Sequence, residues 1–358
     1  KIMLCLLTNH ADEDKYQFGF KSNHSTGLCT AVMKQTVNYY ISRGSHVFTC
    51  FVDFTKAFDR VNYYKLFNQL LDDKIPVCIV KLLSFWYSKQ EAFITWQNTV
   101  SDHFSISNGT KQGGLLSPYL FTRYIRKLLQ SVSTSQIGCR IGGLAINILA
   151  YADDIVLIAP SWAAMQELLD ILQCCCSLLD LSCNAKKTVC MKFDPIDRSK
   201  IVASKFQQFT LCGSKLQFVS EFRYLGHIIT DQLTDDSDIK REVRNMYIRT
   251  NILIRRFSRC STVVKLRLFK SFVLCVYGCA LWNNHTKASV NKFSSCYNKC
   301  VKMFFGFRRS DSVTDMLSQL MLPSFNTVLH NCRAVFMQQC STDSNDIINY
   351  LRQISVHL

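Results

Sequence analysis

The chain has 358 residues, of which 48% are hydrophobic, and its net charge is +16. This length allows two or three domains, and the hydrophobic content is ample for a packed core. With five prolines, thirteen glycines and no low-complexity tract, the composition excludes a disordered or fibrous protein. The longest charge-free apolar run, Ser271 to Trp282, is too short to span a bilayer, so we expect no transmembrane segment and no membrane partner.

Eighteen cysteines in a chain of this size are typical of reduced thiols and not of a small secreted domain. We therefore expect an intracellular protein, nuclear or cytoplasmic. Cys275 with Cys279, and Cys296 with Cys300, have spacings that could supply four zinc ligands. Buried thiols one helical turn apart explain these spacings better, since structural zinc usually uses C-x2-C turns.

In chain order, the first strongly patterned segment is Val47–Val52, which predicts a buried β-strand ending at Asp53. An acid at the carboxyl end of a central strand lies where ligands gather in open α/β sheets. Asp59 is a second candidate, but a helix cap or an ion pair with Arg60 or Lys56 explains it better. Asp53 is therefore the candidate ligand of this segment.

A glycine pair, Gly113–Gly114, precedes the next predicted helix and would allow a ligand to approach the backbone closely. Ser117 and Pro118 suit the N-cap and the first helical position. The amphipathic helix that they begin should bury one face, formed by Leu120, Tyr124, Leu128 and Val132. The glycine pair alone is a weak signal, because ordinary turns have the same composition.

Asp153 and Asp154 interrupt two apolar runs, 148–150 and 155–158, which predict a β-hairpin whose tight turn carries both carboxylates. Burying two adjacent carboxylates is costly unless a cation binds them. Mg²⁺ or Mn²⁺ would suit such oxygen ligands, and Asp53 is the best candidate for a further carboxylate.

The two other pairs of adjacent aspartates have simpler explanations. Asp72–Asp73 lies between a helical pattern and Pro76, where a solvated helix end is sufficient. Asp235–Asp236 directly precedes a basic helix, where acids cap the helix and complement its dipole. Neither pair is predicted to bind a metal ion.

Residues 240–309 carry nearly the whole charge excess, with sixteen Lys and Arg against one acid, Glu242. Apolar residues recur through this region at helical spacing: Ile239, Val243, Met246, Ile254, Phe257, Val264, Leu268 and Phe272. A helical module with one buried stripe and a basic outer face is typical of polyanion binding, whereas a merely solvated face would mix both signs. Arg255, Arg256 and Arg259 are candidate contacts to a nucleic acid.

Several segments, taken together and in order, resemble the reverse transcriptase domain of non-LTR (LINE-type) retrotransposons. They are QFGFKSNHST (17–26), FVDFTKAFDRVN (51–62), GTKQGGLLSPYLF (109–121), YADD (151–154), LSCNAKKTVCMKF (181–193), FRYLGHII (222–229) and KLRLFKSFVLCVYGCALW (265–282). The resemblance spans roughly residues 17–309. The fingers segment that normally precedes QFGF is largely absent, as is an endonuclease domain, so the resemblance implies an N-terminally truncated copy.

The resemblance implies an α+β fold of the right-hand polymerase type, with an antiparallel-sheet palm, incomplete fingers and a helical thumb. Residues 1–46 would be partial fingers, 47–230 the palm with interleaved fingers elements, 231–310 the basic thumb and 311–358 a helical extension. The implied activity is RNA-directed DNA polymerase, with an RNA template, a DNA primer and dNTPs. Asp53 and Asp153 would hold two Mg²⁺ ions, with Asp154 assisting and Mn²⁺ as an alternative.

Further roles follow from matching motif positions. Phe58 would pack against the sugar and exclude a 2′-hydroxyl, and Gln112 with Gly113 would border the incoming nucleotide. Lys21 replaces the usual arginine and cannot make its bidentate phosphate contact. The last matched residues are Lys187, which would protonate the pyrophosphate leaving group, Tyr151, which would lie under the primer terminus, and Gly226, which belongs to the primer-grip region.

Simpler explanations stay open for some of these residues. Phe58 and Tyr151 are also explained as packed aromatics, and Lys187 as a solvated surface lysine. Two other functions compete with reverse transcription. One is RNA synthesis by a related palm, which Phe58 and YADD disfavour. The other is a catalytically silent truncated or domesticated protein that only binds nucleic acid. The oligomeric state is not indicated by any pattern.

Overall fold

The computed structural model describes residues 2–8, 14–111, 113–201, 203 and 205–354, and the chain forms two compact units. The first unit comprises residues 1–29 and 35–219, and the second comprises residues 30–34 and 220–358. Helices combine with a mainly antiparallel sheet in the first unit, so the α+β class predicted from the sequence is confirmed.

The helices that precede residue 220 are α1 (Ile2–Thr8), α2 (Thr26–Ser42), α3 (Tyr63–Asp72), α4 (Val77–Ser88), α5 (Ser117–Tyr124), α6 (Arg126–Thr134) and α7 (Trp162–Leu178), with short 3-10 turns at Phe58–Arg60 and Arg198–Lys200. The strands are β1 (Val47–Val52), β2 (Glu91–Ala92), β3 (Thr95–Trp96), β4 (Thr99–Val100), β5 (Phe104–Ser105), β6 (Arg140–Ile141), β7 (Leu144–Ala145), β8 (Ile148–Tyr151), β9 (Asp154–Ala159), β10 (Val189–Phe193), β11 (Thr210–Leu211), β12 (Ser214–Lys215) and β13 (Gln217–Phe218).

A five-stranded sheet forms the centre of the first unit, in the order β13–β10–β1–β9–β8. Strands β10 and β13 pair in parallel, and the other neighbours pair antiparallel. The predicted strand β1 is confirmed, and each of its residues is buried because it has a strand on either side and helix α7 packed against it. Helix α7 follows Ser161, whose hydroxyl accepts the Ala164 N–H at 3.3 Å.

The predicted hairpin is confirmed as β8 and β9, in which Tyr151 lies opposite Asp154. Ala152 and Asp153 form the turn, and Ala152 has a left-handed backbone with φ of 60°. Asp154 is already the first residue of β9, so only the first of the two carboxylates belongs to the turn itself.

The helix after the glycine pair buries Leu120, Tyr124, Leu128 and Val132 as predicted, although it is divided at Ile125 into α5 and α6. The predicted cap is wrong by one residue. Leu116 is the N-cap of α5, and the Ser117 hydroxyl, inside the helix, donates instead to the Lys111 carbonyl at 2.5 Å. Pro118 does lie at the start of the helix, where its missing N–H costs nothing.

The second unit contains a hairpin of β14 (Glu221–Tyr224) and β15 (His227–Thr230), followed by six helices in its described part. These helices are α8 (Asp236–Phe257), α9 (Thr262–Leu268), α10 (Lys287–Phe305), α11 (Val313–Gln319), α12 (Phe325–Thr342) and α13 (Asp346–Ile354). A π-helical turn at Phe269–Val273 and a 3-10 turn at Cys279–Leu281 lie between α9 and α10.

The apolar stripe predicted for this region holds in the first half of α8 and weakens after it. Ile239, Val243 and Met246 of the predicted stripe are buried, whereas Ile254 and Phe257 at the end of α8 are only partly buried. Val264 and Phe272 are each 43% exposed. One reason is that the helix is interrupted between Phe257 and Thr262, so the spacing counted along α8 does not continue into α9. The π-helical turn then changes the phase of the helix again at Phe272. Phe269 and Val273 are buried in their place.

The two simply explained aspartate pairs are more deeply involved in packing than predicted. Asp235 is the N-cap of α8, but its buried carboxylate makes no capping bond and instead accepts from Lys34 Nζ at 2.5 Å and the Asn284 N–H at 3.0 Å. Asp73 is partly buried, with its side chain 9% exposed and its carboxylate 3.0 Å from the Arg126 guanidinium. Asp72 is exposed, as expected of a helix end.

Within the part of the chain that the structure describes, no helix is long and apolar enough to cross a membrane. Those residues also form no disulfide. Cys296 and Cys300 are buried one turn apart in α10 with their sulfurs 3.9 Å apart, which fits the thiol-pair explanation. Cys275 is exposed, whereas Cys279 is buried.

Candidate active site

Asp53 directly follows β1, and the segment 182–188 holds its backbone on both sides. Its N–H donates to Thr188 Oγ1 at 3.2 Å, and its carbonyl accepts the Asn184 N–H at 2.7 Å. The next residue, Phe54, forms a β-bridge with Cys183. The side chain of Asp53 therefore leaves a backbone that is anchored at the end of the central strand.

The hairpin brings Asp153 and Asp154 to the same end of the sheet. The last paired residues of the β1–β9 ladder are Val52 and Ile155, so Asp53 and Asp154 are the next residue on each strand. Asp53 and Asp153 are half-buried, and Asp154 is exposed. Carboxylates that the sequence separates by about a hundred residues thus meet at one sheet edge.

The pKa shifts reveal that these carboxylates interact. Loss of solvent around Asp154, followed by the charges of Asp153 and Asp53, raises its pKa to about 6. The pKa of Asp153 is raised by the same loss of solvent and by the charge of Asp53, against the lowering effect of its own backbone N–H. Like charges crowded together favour protonation, and a bound cation would remove that repulsion.

The three aspartates suit a divalent ion in chemistry, but they do not form a complete set of ligands. Among the described residues, no group of three or more His, Cys, Asp or Glu side chains converges to hold a metal ion. Mg²⁺ usually takes only one or two carboxylates from the protein and completes its shell with water and substrate phosphates. Asp53 and Asp153 fit that requirement, with Asp154 beside them.

Phe58 lies in the 3-10 turn that follows Asp53, with its ring half-buried. Its ring stacks on the buried Phe121 of α5, with centroids 4.2 Å apart and planes at 19°. Phe20 approaches it edge-on at 6.5 Å. This support gives the ring one orientation while leaving part of it exposed, so both the sugar-contact and the packing explanations stay open.

The glycine-rich segment is joined to this turn by backbone hydrogen bonds. The Thr110 N–H donates to the Phe58 carbonyl and the Gly109 N–H to the Val61 carbonyl, each at 2.8 Å. Gly113 has φ of +77°, and a Cβ there would meet no atom within 4 Å, so its backbone faces open space. Gln112, the predicted neighbour of the nucleotide, lies outside the described residues.

Lys21 lines a cavity of about 440 Å³ that Gln17, Gly19, Arg123 and Arg126 also border. The Lys21 ammonium donates to the Asp14 carbonyl at 2.5 Å. Its position in the same unit as the aspartates is compatible with the predicted nucleotide contact, which stays a prediction.

Tyr151 and Lys187 also belong to segments that build the site. Tyr151 is the half-buried last residue of β8, paired with Asp154. Lys187 is exposed in the turn between Asn184 and Thr188, the two residues that hold Asp53. The backbone of Lys187 therefore lies close to that of Asp53, whereas its side chain faces solvent.

In the second unit, Gly226 occupies the turn between β14 and β15 with φ of +82°, which favours glycine. A Cβ there would lie 2.9 Å from the Tyr277 ring, whose hydroxyl donates to the Leu225 carbonyl at 2.7 Å. Arg255 and Arg256 are exposed in the last turn of α8, and Arg259 is exposed just beyond it.

Gln17 is a residue of this region whose importance the residue pattern did not indicate. It is 2% exposed, and its amide bonds to both backbone polar groups of Ala152. In the sequence it stands out only as the first residue of the QFGF motif, because a single glutamine has no periodic or compositional signal.

The sequence matches the family model described as reverse transcriptase (RNA-dependent DNA polymerase) over residues 1–229, and the chain belongs to this family. Its relatives include the Retrovirus-related Pol polyprotein from type-2 retrotransposable element R2DM of Drosophila melanogaster, 31% identical over 189 residues, with 51% of the chain and 18% of that protein covered. The RNA-directed DNA polymerase from mobile element jockey of Drosophila funebris is 23% identical over 354 residues, with 94% and 37% covered. The resemblance to non-LTR retrotransposon polymerases is thereby confirmed, and the chain spans well under half the length of either relative.

Among solved structures, telomerase from Candida tropicalis in complex with a TWJ fragment of telomeric RNA aligns with 98% of the chain and 52% of its own, at 11% identity and a TM-score of 0.48. Apo telomerase from the same organism aligns with 97% and 54%, at 12% identity and the same score. These scores are too low to support a functional argument. Because the chain belongs to the reverse transcriptase family, it has the right-hand polymerase fold that we expected. Members of this family depend in general on divalent metal ions and on a nucleic-acid template.

Proposed function

We propose that this chain is the RNA-directed DNA polymerase of a non-LTR retrotransposon, which extends a DNA primer with dNTPs on an RNA template. The observation that carries the proposal is the meeting of Asp53, Asp153 and Asp154 at one edge of the sheet in a chain of this family. Their mutual repulsion is the electrostatic condition that divalent ions relieve.

Asp53 and Asp153 would hold the ions, and Asp154 would add negative charge beside them. When bound, Mg²⁺ would supply activation of the primer 3′-hydroxyl and charge stabilisation at the triphosphate. The protein would contribute position: Thr188 and Asn184 orient the Asp53 backbone, and the β8–β9 turn orients Asp153. Such pre-organisation lowers the barrier because the ligands do not rearrange during the reaction.

Four residues would contact the incoming nucleotide. Phe58, supported by Phe121, would exclude a 2′-hydroxyl, and Gln112 with Gly113 would border the base and sugar. The open space over Gly113 supports close approach of a ligand to its backbone. Lys21 would contact the phosphates as a single point charge, which is a weaker grip than a bidentate arginine provides.

The remaining roles concern the leaving group, the primer and the duplex. Lys187 would protonate the pyrophosphate, and Tyr151 would lie under the primer terminus. Gly226 would shape the primer-grip turn, and Arg255, Arg256 and Arg259 would contact the duplex. In this proposal residues 1–46 act as fingers, 47–230 as palm, 231–310 as thumb and 311–358 as a helical extension.

The test is primer extension on RNA with Mg²⁺, comparing wild type, Asp153→Asn and Asp170→Asn. Asp170 is an exposed aspartate of α7, so its substitution changes the same charge away from the site. Loss of a metal ligand removes several kcal/mol of charge stabilisation, so we expect Asp153→Asn to lower the rate by roughly 10³-fold or more. Asp170→Asn should retain wild-type activity.

Two outcomes would point elsewhere. Preferential incorporation of NTPs over dNTPs on the same primed RNA would favour the RNA polymerase alternative. Wild-type protein that is inert, yet binds primed RNA with a steep salt dependence, would favour the silent nucleic-acid-binding alternative.

A further inference from the structure

The side chain of Gln17 contacts the hairpin turn at several points. Its Oε1 accepts the Ala152 N–H at 2.9 Å and the Gly19 N–H at 2.8 Å. Its Nε2 donates to the Ala152 carbonyl at 3.3 Å. One amide therefore satisfies both backbone polar groups of the residue that immediately precedes Asp153.

The backbone around Gln17 reinforces this contact. Residues 16–18 run beside β8 as an added parallel segment, with the Phe18 N–H donating to the Ala150 carbonyl at 2.7 Å and the Ala150 N–H to the Tyr16 carbonyl at 2.8 Å. The Gln17 side chain continues that ladder past the end of β8, where Ala152 turns away and no strand partner follows. It thus replaces the hydrogen bonds that the turn would otherwise lose.

Gly19 makes the close approach possible. A Cβ at this position would lie 2.5 Å from the Ala152 nitrogen, a distance that real side chains do not tolerate. Ala152 itself adopts φ of 60°, a left-handed conformation that residues with a Cβ rarely adopt and that surrounding contacts must maintain. Gln17 and Gly19 together supply those contacts.

An ordinary buried amide would explain the burial of Gln17 but not the choice of partners. Asn147 is the comparison: it is fully buried nearby, and its Nδ2 donates to the Val132 and Ile137 carbonyls at 2.7 and 2.8 Å. Those bonds are structural and do not touch the turn. Gln17 bonds specifically to the peptide groups on either side of Ala152, and the direction of the Asp153 side chain follows from that backbone.

We propose that Gln17 is a positioning residue. It holds the left-handed turn at Ala152 and thereby orients the Asp153 side chain toward the reacting centre. This inference rests on the proposed role of Asp153. Gln17 contacts neither substrate nor metal in this scheme, and it acts by keeping the carboxylate in one orientation.

The experiment compares Gln17→Met, which has a similar length and no amide, with Asn147→Leu, which removes an equally buried amide away from the turn. We expect Gln17→Met to lower kcat for primer extension at least tenfold, with the KM for dNTP and the Kd for primer–template changed less than threefold. It should also raise the Mg²⁺ concentration needed for half-maximal rate. Asn147→Leu should keep kcat within threefold, whatever its effect on Tm.

Amide hydrogen exchange tests the hydrogen bonds between Gln17 and Ala152 without requiring activity. Exchange in residues 150–154 should accelerate in Gln17→Met and stay at the wild-type rate in Asn147→Leu. If Gln17→Met does not fold, Gln17→Glu keeps an acceptor for both N–H groups and loses the donor to Ala152, and we expect kcat to fall at least threefold at unchanged dNTP KM.

A wild-type kcat in these Gln17 variants, or equal losses in Gln17→Met and Asn147→Leu, would overturn the positioning role. Failure of the proposed function looks different. In that case Asp153→Asn would polymerise like wild type, while the exchange result for Gln17→Met would still show whether Gln17 holds Ala152.

Discussion

Neutralising the basic end of α8 should weaken duplex binding in a way that salt reveals. The perturbation is Arg255→Gln, Arg256→Gln and Arg259→Gln together. All three side chains are exposed, so each is available to a phosphate. Two other cations of α8 are already paired with acids, because Arg241 bonds to Asp238 at 2.7 Å and Arg249 bonds to Glu242, so they are less available to a phosphate.

The magnitude follows from counterion release. Each phosphate contact to a duplex contributes about 0.9 to the slope of log K against log salt, so three lost contacts should reduce that slope by about 2.7. At 0.1 M salt each contact is worth roughly 8-fold, which gives a loss of roughly 500-fold for the triple variant. Selection between nucleotides should not change, because these residues belong to the second unit and the aspartates to the first.

The assay is fluorescence anisotropy of a labelled RNA–DNA primer–template over a range of salt concentrations. The matched control removes three exposed cations of the first unit, with Arg198→Gln, Lys200→Gln and Lys215→Gln. We expect the control to keep most of the wild-type slope. A slope unchanged within about 0.5 in the arginine triple, or an equal reduction in the control, would refute phosphate contacts by these arginines.

Two further predictions concern stability. Asp238→Asn should lower the free energy of unfolding by about 3–5 kcal/mol, because the buried carboxylate accepts from Arg241 at 2.7 Å and from Trp282 at 2.8 Å. The measurement is urea unfolding, followed by hydrogen exchange in α8. Burial alone would raise the pKa of Asp238, but hydrogen bonds led by His227 bring it well below its ordinary value, so this stability is present above about pH 4 and is lost only as the pH falls further. The pKa of Asp154 is raised to about 6 by loss of solvent and by Asp153 and Asp53, so its protonated form stabilises metal-free protein at low pH and this contribution disappears as the pH rises through about 6. In EDTA, the Tm of wild type should therefore fall relative to Asp154→Asn mainly between about pH 4 and pH 6, and parallel Tm curves would contradict a raised pKa of Asp154.

Local patterns were sufficient for the elements that carry the aspartates. An unbroken apolar run predicted β1 and the position of Asp53 at its end, and two apolar runs around Asp153 and Asp154 predicted the hairpin. These features follow from backbone geometry that repeats every two or every 3.6 residues, so a short window of sequence contains the whole signal. The basic surface of α8 was predictable for the same reason.

Where an element departs from regular geometry, the local signal failed. The break between α8 and α9 and the π-helical turn at Phe269–Val273 both interrupt the helical period, and no residue type marks such a turn in advance. Asp235 has the composition of a helix cap, yet it accepts from Lys34, two hundred residues earlier in the chain. Composition states what a carboxylate can bind and not which donor the fold brings to it.

The order of acidic, apolar and basic residues along each strand and helix can be read from the chain alone, and its motifs are enough to predict the class of polymerase. The anchoring of Asp53 by segment 182–188 and the contact of the Gln17 amide with Ala152 become visible only in the folded chain. These bonds join segments more than a hundred residues apart. Their existence depends on strand order and register, which are properties of the whole sheet and of no single stretch of chain.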